Sequence, residues 1–293
     1  MAKITVGVPV FNGAASLRAC LECLRDQTFR DLEVLISDNG SQDESVAIAQ
    51  AFVDSDPRFR LIRHPVNIGA RRNFLSVLEA ATTKYFMWRA DDAISDANYL
   101  ACLTELHEAM PGLGLAVGRE RIIHADGSLW REAALQRSDS TCRARRIGRV
   151  LLKAHPNFIY GLWERDYLTA CYAEVMTNYP HLWAWDHATT FAPIIDERIA
   201  GTSGTCLISS INISPREPVR LSARNMIDVR RSFRATCFVI FSKRHWRLLE
   251  RLVLSFYIWR YANRKSYRFF KSLRRYLREV TGTVKSSKNR VGA

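Results

Sequence analysis

The residues best suited to chemistry in this chain are acidic, and they follow apolar runs. Asp91 and Asp92 come directly after Tyr85-Phe86-Met87-Trp88-Arg89-Ala90. Adjacent carboxylates repel each other unless a cation or a hydrogen-bond donor compensates. Hard divalent cations such as Mg2+ and Mn2+ take oxygen ligands and are often shared with substrate phosphates. The pair therefore has two readings, part of a metal site or a solvated turn that caps the next helix. Asp38 stands in a second such turn, Asp38-Asn39-Gly40-Ser41, and Asp186 opens a later helical segment after Trp185.

Positioning these carboxylates falls to alternating strands and helices. Ile4 to Val10 reads as a strand, ended by Pro9 and the loop Phe11-Asn12-Gly13. Leu17, Cys20, Leu21 and Leu24 recur at i, i+3, i+4, i+7 and predict an amphipathic helix. Leu32 to Ser37 is a second strand, 45–53 a helix, and 59–63 a third strand. Asn67-Ile68-Gly69 opens a helix to Ala81, and Tyr85 to Ala90 is a fourth, buried strand. Four such alternations predict an α/β fold with a mostly parallel, doubly wound sheet, whose carboxyl edge binds ligands. Further on, the pattern predicts a helix over 98–110, a strand over 114–124, and a hairpin at Asp126-Gly127. Residues 137–150 read as an arginine-rich mobile loop, 158–163 as a strand, 165–173 as a helix, and 199–213 as closing strands.

Composition narrows the class. The 293 residues are 47% hydrophobic and 25% charged, as expected for a globular chain with a substantial core. No apolar run approaches the roughly 20 residues of a membrane span, and Met1-Ala2-Lys3 leads straight into the first strand, so no signal peptide is expected. Cys20 and Cys23 form the only close pair of the seven cysteines, without a second Cys/His cluster, and read as buried thiols rather than zinc ligands. The expected setting is cytoplasmic. Residues 216–293 hold 21 Lys/Arg against 4 Asp/Glu, net +17, whereas 1–215 hold 22 against 25, net −3. The chain thus divides into a 1–215 domain and a basic, aromatic-rich helical region over 216–293. Within 230–278, Leu248, Leu249, Leu252, Val253, Phe256 and Trp259 recur at helical spacing among Arg and Lys. Such a helix either lies on an anionic membrane surface or packs its stripe on the protein. No nucleic-acid motif accompanies the charge, so no nucleic acid is expected as a partner. Neither G-x-G-x-x-G after the first strand nor a Walker P-loop occurs, which disfavours dinucleotide enzymes and P-loop NTPases.

Val8-Pro9-Val10-Phe11-Asn12, Glu33, Ser37-Asp38-Asn39-Gly40-Ser41, Asp43, Asn67, Gly69, Asn73 and Ala90-Asp91-Asp92 resemble, in order and spacing, the family 2 glycosyltransferases of GT-A fold. Tyr160-Gly161-Leu162-Trp163 and Trp185-Asp186 extend the likeness more weakly to about residue 213. The resemblance implies a nucleoside pocket floored by Pro9, Phe11 and Asn12, with Asp38 accepting a hydrogen bond from the base. It implies that Asp91 contacts ribose or metal and that Asp92 ligates Mn2+ or Mg2+ on the diphosphate. Asn67 and Arg71 or Arg72 are further nucleotide-side candidates; a solvated helix face is the other reading of the arginines, and turn geometry and capping that of Asn12, Gly69 and Asn73. Asp186 matches the general base, although the family's usual Glu-Asp is Trp-Asp here. Helix capping is the other role open to Asp186, and His187 is the second candidate base. The implied activity is inverting, non-processive transfer from a nucleoside-diphosphate sugar (a UDP-sugar first) to a glycan or lipid-linked acceptor. The implied setting is cell-surface polysaccharide synthesis, peripheral on the inner face of a membrane. A non-catalytic nucleotide-sugar-binding or membrane-scaffolding protein is the alternative on the same fold.

Overall fold

The computed structural model describes residues 2–124, 126–136, 138–210 and 222–266. The predicted order of elements holds through the first ninety residues. β1 (Ile4–Val10), α1 (Ala14–Arg25), β2 (Leu32–Asp38), α2 (Ser45–Ser55), β3 (Phe59–Arg63), α3 (Ala70–Glu79) and β4 (Tyr85–Trp88) alternate as expected. β1 and β4 are buried along their whole length, because helices cover both faces of a parallel sheet and leave no polar side to the strand. The register aligns Val10 with Asp38, Asp38 with Arg63, and Gly7 with Trp88. All four strands therefore end at one edge.

Beyond β4 the sheet becomes mixed. The chain reverses at Asp91-Asp92 into β5 (Ala93–Ser95), a three-residue strand too short to show in the sequence pattern. It continues through α4 (Tyr99–Ala109), β6 (Leu115–Ile123) and β7 (Leu129–Ala133), with the expected hairpin at Gly127. The strand order is β3-β2-β1-β4-β8-β6-β9-β5, with β7 on β6, β8 being Leu162–Glu164 and β9 Ile199–Ser210. β8 is antiparallel to β4 and to β6, so β6 again runs with β4. Residues 156–160 form a 3-10 turn rather than the first half of a strand. Residues 211–213, also expected in a closing strand, lie outside the described residues.

The second correction concerns residues 137–150. Arg143–Lys153 is a helix, α5, not a loop. Its arginines obscured a buried row at i, i+3, i+4, i+7, namely Ala144, Ile147, Gly148 and Leu151. A β-carbon on Gly148 would run into the ring of Tyr257, so the glycine permits a close helix–aromatic approach. α6 (Arg165–Asn178), α7 (Trp185–Ile195), α8 (Ala223–Ser242) and α9 (Leu248–Lys265) are the remaining helices of the described residues.

Contacts group the chain into two compact units that do not follow a single cut near residue 215. One comprises Met1–Gln136, His155–Tyr172 and Asp196–Pro215, and contains every strand of the described residues. The other joins Arg137–Ala154 and Ala173–Ile195 to Arg216–Ala293. In the helical unit, Tyr261 of α9 is fully buried, stacked on Phe191 at 5.8 Å and packed against Phe233 at 5.6 Å. Lys243 and Arg244, at the end of α8, both reach Glu174 of α6, at 2.6 and 3.6 Å.

Candidate functional site

The carboxyl edge of the strand-bearing unit brings together most of the expected nucleotide residues. Asp38 ends β2 and is 2% exposed. Its Oδ2 accepts the backbone N–H groups of Gly40 and Ser41, both at 3.2 Å, a turn that Asp favours. Its Oδ1 is buried and has no hydrogen-bond partner among the described residues. A buried carboxylate oxygen without a donor costs about 1–3 kcal/mol or more. Pro9 is buried in β1, whereas Phe11 just beyond it is 38% exposed at the edge. Asn12 adopts φ +51°, which Asn tolerates better than most residues. Its N–H donates to Ser41 Oγ at 2.9 Å and its Oδ1 accepts Gln42 N–H at 2.9 Å. Gly13 N–H donates to Ser45 Oγ (2.9 Å) and Ala14 N–H to Asp43 Oδ2 (3.0 Å), so the two loops are clamped together.

Asn67 and Asn73 have their side chains engaged within the protein. Asn67 Oδ1 accepts from Asn39 Nδ2 at 3.0 Å and from Gly69 N–H at 2.8 Å. Asn73, 3% exposed, donates to the Ser37 carbonyl at 3.0 Å and accepts from Ser37 Oγ at 2.6 Å. Arg71 is half-buried in the first turn of α3, with its carbonyl accepting the Tyr172 hydroxyl at 3.0 Å, and Arg72 is exposed.

Asp91 and Asp92 occupy the two-residue turn between β4 and β5, half-buried, closed by Ala93 N–H to the Ala90 carbonyl at 3.1 Å. Gly13 backs the turn, and a β-carbon there would collide with Asp91 Oδ2. Among the described residues no three His, Cys, Asp or Glu side chains gather into a metal cage. Two adjacent carboxylates still suit Mg2+ or Mn2+ by their donor chemistry, since these ions are held by one or two carboxylates plus substrate phosphates.

A row on α1 and just beyond its end, Cys20, Cys23 and Gln27, holds this turn and the strand after it. Cys20 Sγ donates to the Ala90 carbonyl at 3.4 Å and Cys23 Sγ to the Ser95 carbonyl at 3.3 Å. Gln27, fully buried, donates to the Asp96 carbonyl at 3.0 Å and accepts Leu100 N–H at 3.1 Å. Burial, opposed by Arg89 and reinforced by Asp91 and Asp92, pushes the Cys20 thiol far up, so it stays protonated and acts as a donor. The signal available in sequence was a buried-phase glutamine seven residues after Cys20 on an otherwise apolar face. Arg89, buried beneath the turn, donates to Ser95 Oγ at 3.0 Å and lies over the Tyr99 ring at 5.3 Å.

Asp186 belongs to the helical unit. It lies in the first turn of α7, half-buried, and its Oδ1 accepts the His187 N–H at 2.6 Å. The preceding Ala184 has φ +63°, a conformation that costs an alanine about 1–2 kcal/mol and turns the chain into the helix. His187 is 7% exposed, edge-on to Tyr261 at 6.0 Å, and its carbonyl accepts the Tyr261 hydroxyl at 2.8 Å. Trp163 is core, donating to the Ile159 carbonyl at 2.9 Å, whereas Trp183 is 52% exposed and Trp185 half-buried.

Against known proteins, residues 5–163 match the family model described as glycosyl transferase family 2, which is more than half of the chain. The chain belongs to that family. A relative, the uncharacterized glycosyltransferase YibD of Escherichia coli K12, is 36% identical over 103 residues, 35% of this chain and 30% of the relative. The GalNAc(5)-diNAcBac-PP-undecaprenol beta-1,3-glucosyltransferase of Campylobacter jejuni is 28% identical over 93 residues, 31% of this chain and 30% of its own length. The match thus spans about a third of these relatives. Among solved structures, S. aureus TarS 1–349 in complex with UDP-GlcNAc aligns with TM-score 0.70 at 15% identity, covering 95% of this chain and 77% of that one. The mannosyltransferase PcManGT of Pyrobaculum calidifontis, in complex with GDP-Man and Mn2+, aligns with TM-score 0.58 at 15% identity, covering 95% and 75%. These likenesses show the GT-A fold.

Proposed function

We propose that this family 2 protein is an inverting, non-processive glycosyltransferase that moves a sugar from a nucleoside diphosphate, UDP first, to a hydroxyl of a glycan or lipid-linked acceptor. The observation that carries the donor site is Asp38 Oδ1, a buried acceptor at the strand edge with no donor among the described residues. The imide N–H of uracil supplies what it lacks, while Phe11 offers its exposed ring to the base and Pro9 and Asn12 shape the floor. Arg71 and Asn67 flank the nucleotide from α3 and the loop before it. Asp91 and Asp92 fit Mn2+ or Mg2+ by their donor chemistry. When bound, the metal offsets charge growing on the leaving diphosphate. Asp186 takes the role of general base: its carboxylate accepts the proton of the acceptor hydroxyl as that oxygen attacks the anomeric carbon opposite the leaving group. A single displacement of this kind inverts the anomeric centre.

The donor half of the reading is supported by two relatives of the fold, whose complexes hold UDP-GlcNAc and GDP-Man with Mn2+. The acceptor half draws on a relative named for an undecaprenol-linked substrate. A role in cell-surface polysaccharide synthesis, and peripheral attachment to an anionic membrane through residues 230–278, belong to the same reading. Residues 267–278 of that stretch lie outside the described residues. No helix among the described residues is long and apolar enough to cross a membrane.

The test is thermal stabilisation by UDP, GDP, dTDP, CMP and their sugars, with Mn2+ and with EDTA, on the wild type and Asp92→Ala. A metal-dependent shift with one nucleoside diphosphate, abolished in the variant, is expected. Equal shifts in Mn2+ and EDTA, or an undiminished shift in the variant, would refute the metal assignment.

A further inference from the structure

α9 carries two apolar faces and buries only one. Leu254, Ile258, Tyr261 and Ala262 are buried within the helical unit. Leu248, Leu249, Leu252, Phe256 and Trp259 are 74%, 76%, 62%, 53% and 47% exposed. At 3.6 residues per turn these five side chains share an arc of about 100°. Arg251 flanks the arc on one side, and Arg260 and Arg264 flank it on the other. The Arg260 guanidinium lies 5.6 Å from the Phe256 ring centroid, so cation and aromatic present one continuous surface. Residues 243–265 carry seven Lys/Arg against the single acid Glu250.

At the N-terminal end of this face lies a cavity of about 630 Å³ lined by Arg143, His245, Trp246, Arg247 and Glu250. Arg143 stands over the Trp246 ring at 4.9 Å. Two arginines and a histidine against one glutamate suit an anion, and Arg247 and Glu250 of the lining bracket Leu248 and Leu249 in the chain. Exposed apolar patches of this kind are rare on soluble monomers unless something covers them. Cations on both flanks select the cover: a neutral protein groove would satisfy the leucines and leave the arginines without counter-charge, whereas an anionic lipid surface satisfies both.

We propose that α9 lies flat on an anionic phospholipid bilayer. Its Leu248-Leu249-Leu252-Phe256-Trp259 face enters the acyl boundary, and the Arg143–His245–Arg247 cavity takes a headgroup phosphate. This deepens the peripheral-membrane part of the proposed function and is independent of the sugar-transfer part.

The test is co-sedimentation of the full chain with vesicles of phosphatidylcholine alone and of phosphatidylcholine with phosphatidylglycerol, using the wild type, Leu252→Glu/Phe256→Glu, and Arg247→Glu. Binding to the anionic vesicles is expected, with little to the neutral ones, falling at least tenfold in both variants. Donor-dependent thermal shift, read on the same preparations, is expected to be unchanged, because none of the three positions belongs to the donor site. The proposal is overturned if the wild type ignores anionic vesicles or binds neutral ones equally well. Undiminished binding by the double variant also overturns it. So does a wild type that is dimeric by light scattering while the double variant is monomeric, since the face would then be a contact between copies. A lost thermal shift with intact vesicle binding would instead count against the donor site alone.

Discussion

Replacing Asp38 by Asn isolates the one interaction on which the donor site rests. The amide oxygen retains an acceptor for the Gly40 and Ser41 N–H groups, now held at 3.2 Å by Oδ2. Folding stability should therefore change by no more than about 1 kcal/mol, the worth of an ordinary hydrogen bond. The other atom, now a free Oδ1, becomes an NH2 group that presents donors where the uracil imide also presents a donor. Loss of a hydrogen bond to a charged acceptor is worth about 1.5–3 kcal/mol. At about 1.4 kcal/mol per decade, that predicts UDP binding weaker by about 10- to 150-fold. Cytosine carries an acceptor at the matching ring position, so the variant should lose less affinity for CDP than for UDP. Isothermal titration with UDP, CDP and pyrophosphate in Mn2+, alongside urea denaturation, reads all of this. A UDP affinity within twofold of wild type, at unchanged stability, would refute the base contact. An equal loss for pyrophosphate would show that Asp38 acts on the phosphates or the loop instead.

Gln27→Leu should lower stability by about 2–4 kcal/mol, because Leu100 N–H and the Asp96 carbonyl lose a buried partner. Its metal-dependent UDP shift should shrink as the Asp91-Asp92 turn loosens; a full shift would remove the positioning role. Gly148→Ala should cost about 1–3 kcal/mol in urea denaturation, since the Tyr257 ring must move out of the way. Asp186→Asn should reduce turnover by about 10²- to 10⁴-fold with the donor thermal shift intact; unimpaired turnover would leave Asp186 a helix cap. For pH, Arg58 donates to Asp56 and holds its carboxyl below the usual range. The folded pKa lies below the unfolded one, so the pair stabilises the protein above about pH 3.9 and loses that contribution as pH falls through the depressed value. Arg58→Ala should flatten that acid limb in denaturation curves taken between neutral and acidic pH.

The sequence alone determined the elements whose patterns are local. β1 to β4 are apolar runs between turn residues, and α1 shows its buried row at helical spacing, so the parallel half of the sheet and the placement of Asp38, Asp91 and Asp92 at its edge were readable. What the sequence could not determine was any feature created by partners distant in the chain. β5 is three residues long and exists because β9, more than a hundred residues later, pairs with it. The sequence of α5 reads as a loop because its arginines dominate the composition, and its buried row gains its partners only from α7 and α9, later in the chain. The same holds for Cys20, Cys23 and Gln27, whose polar atoms are ordinary until the β4–β5 turn is laid across them. It holds most for α9, where the stripe legible in the spacing is the exposed side and the buried side is Leu254, Ile258, Tyr261 and Ala262. Periodicity says which residues share a face; only packing decides which of two apolar faces is buried, because the free energy of burial depends on a partner surface that local spacing does not encode.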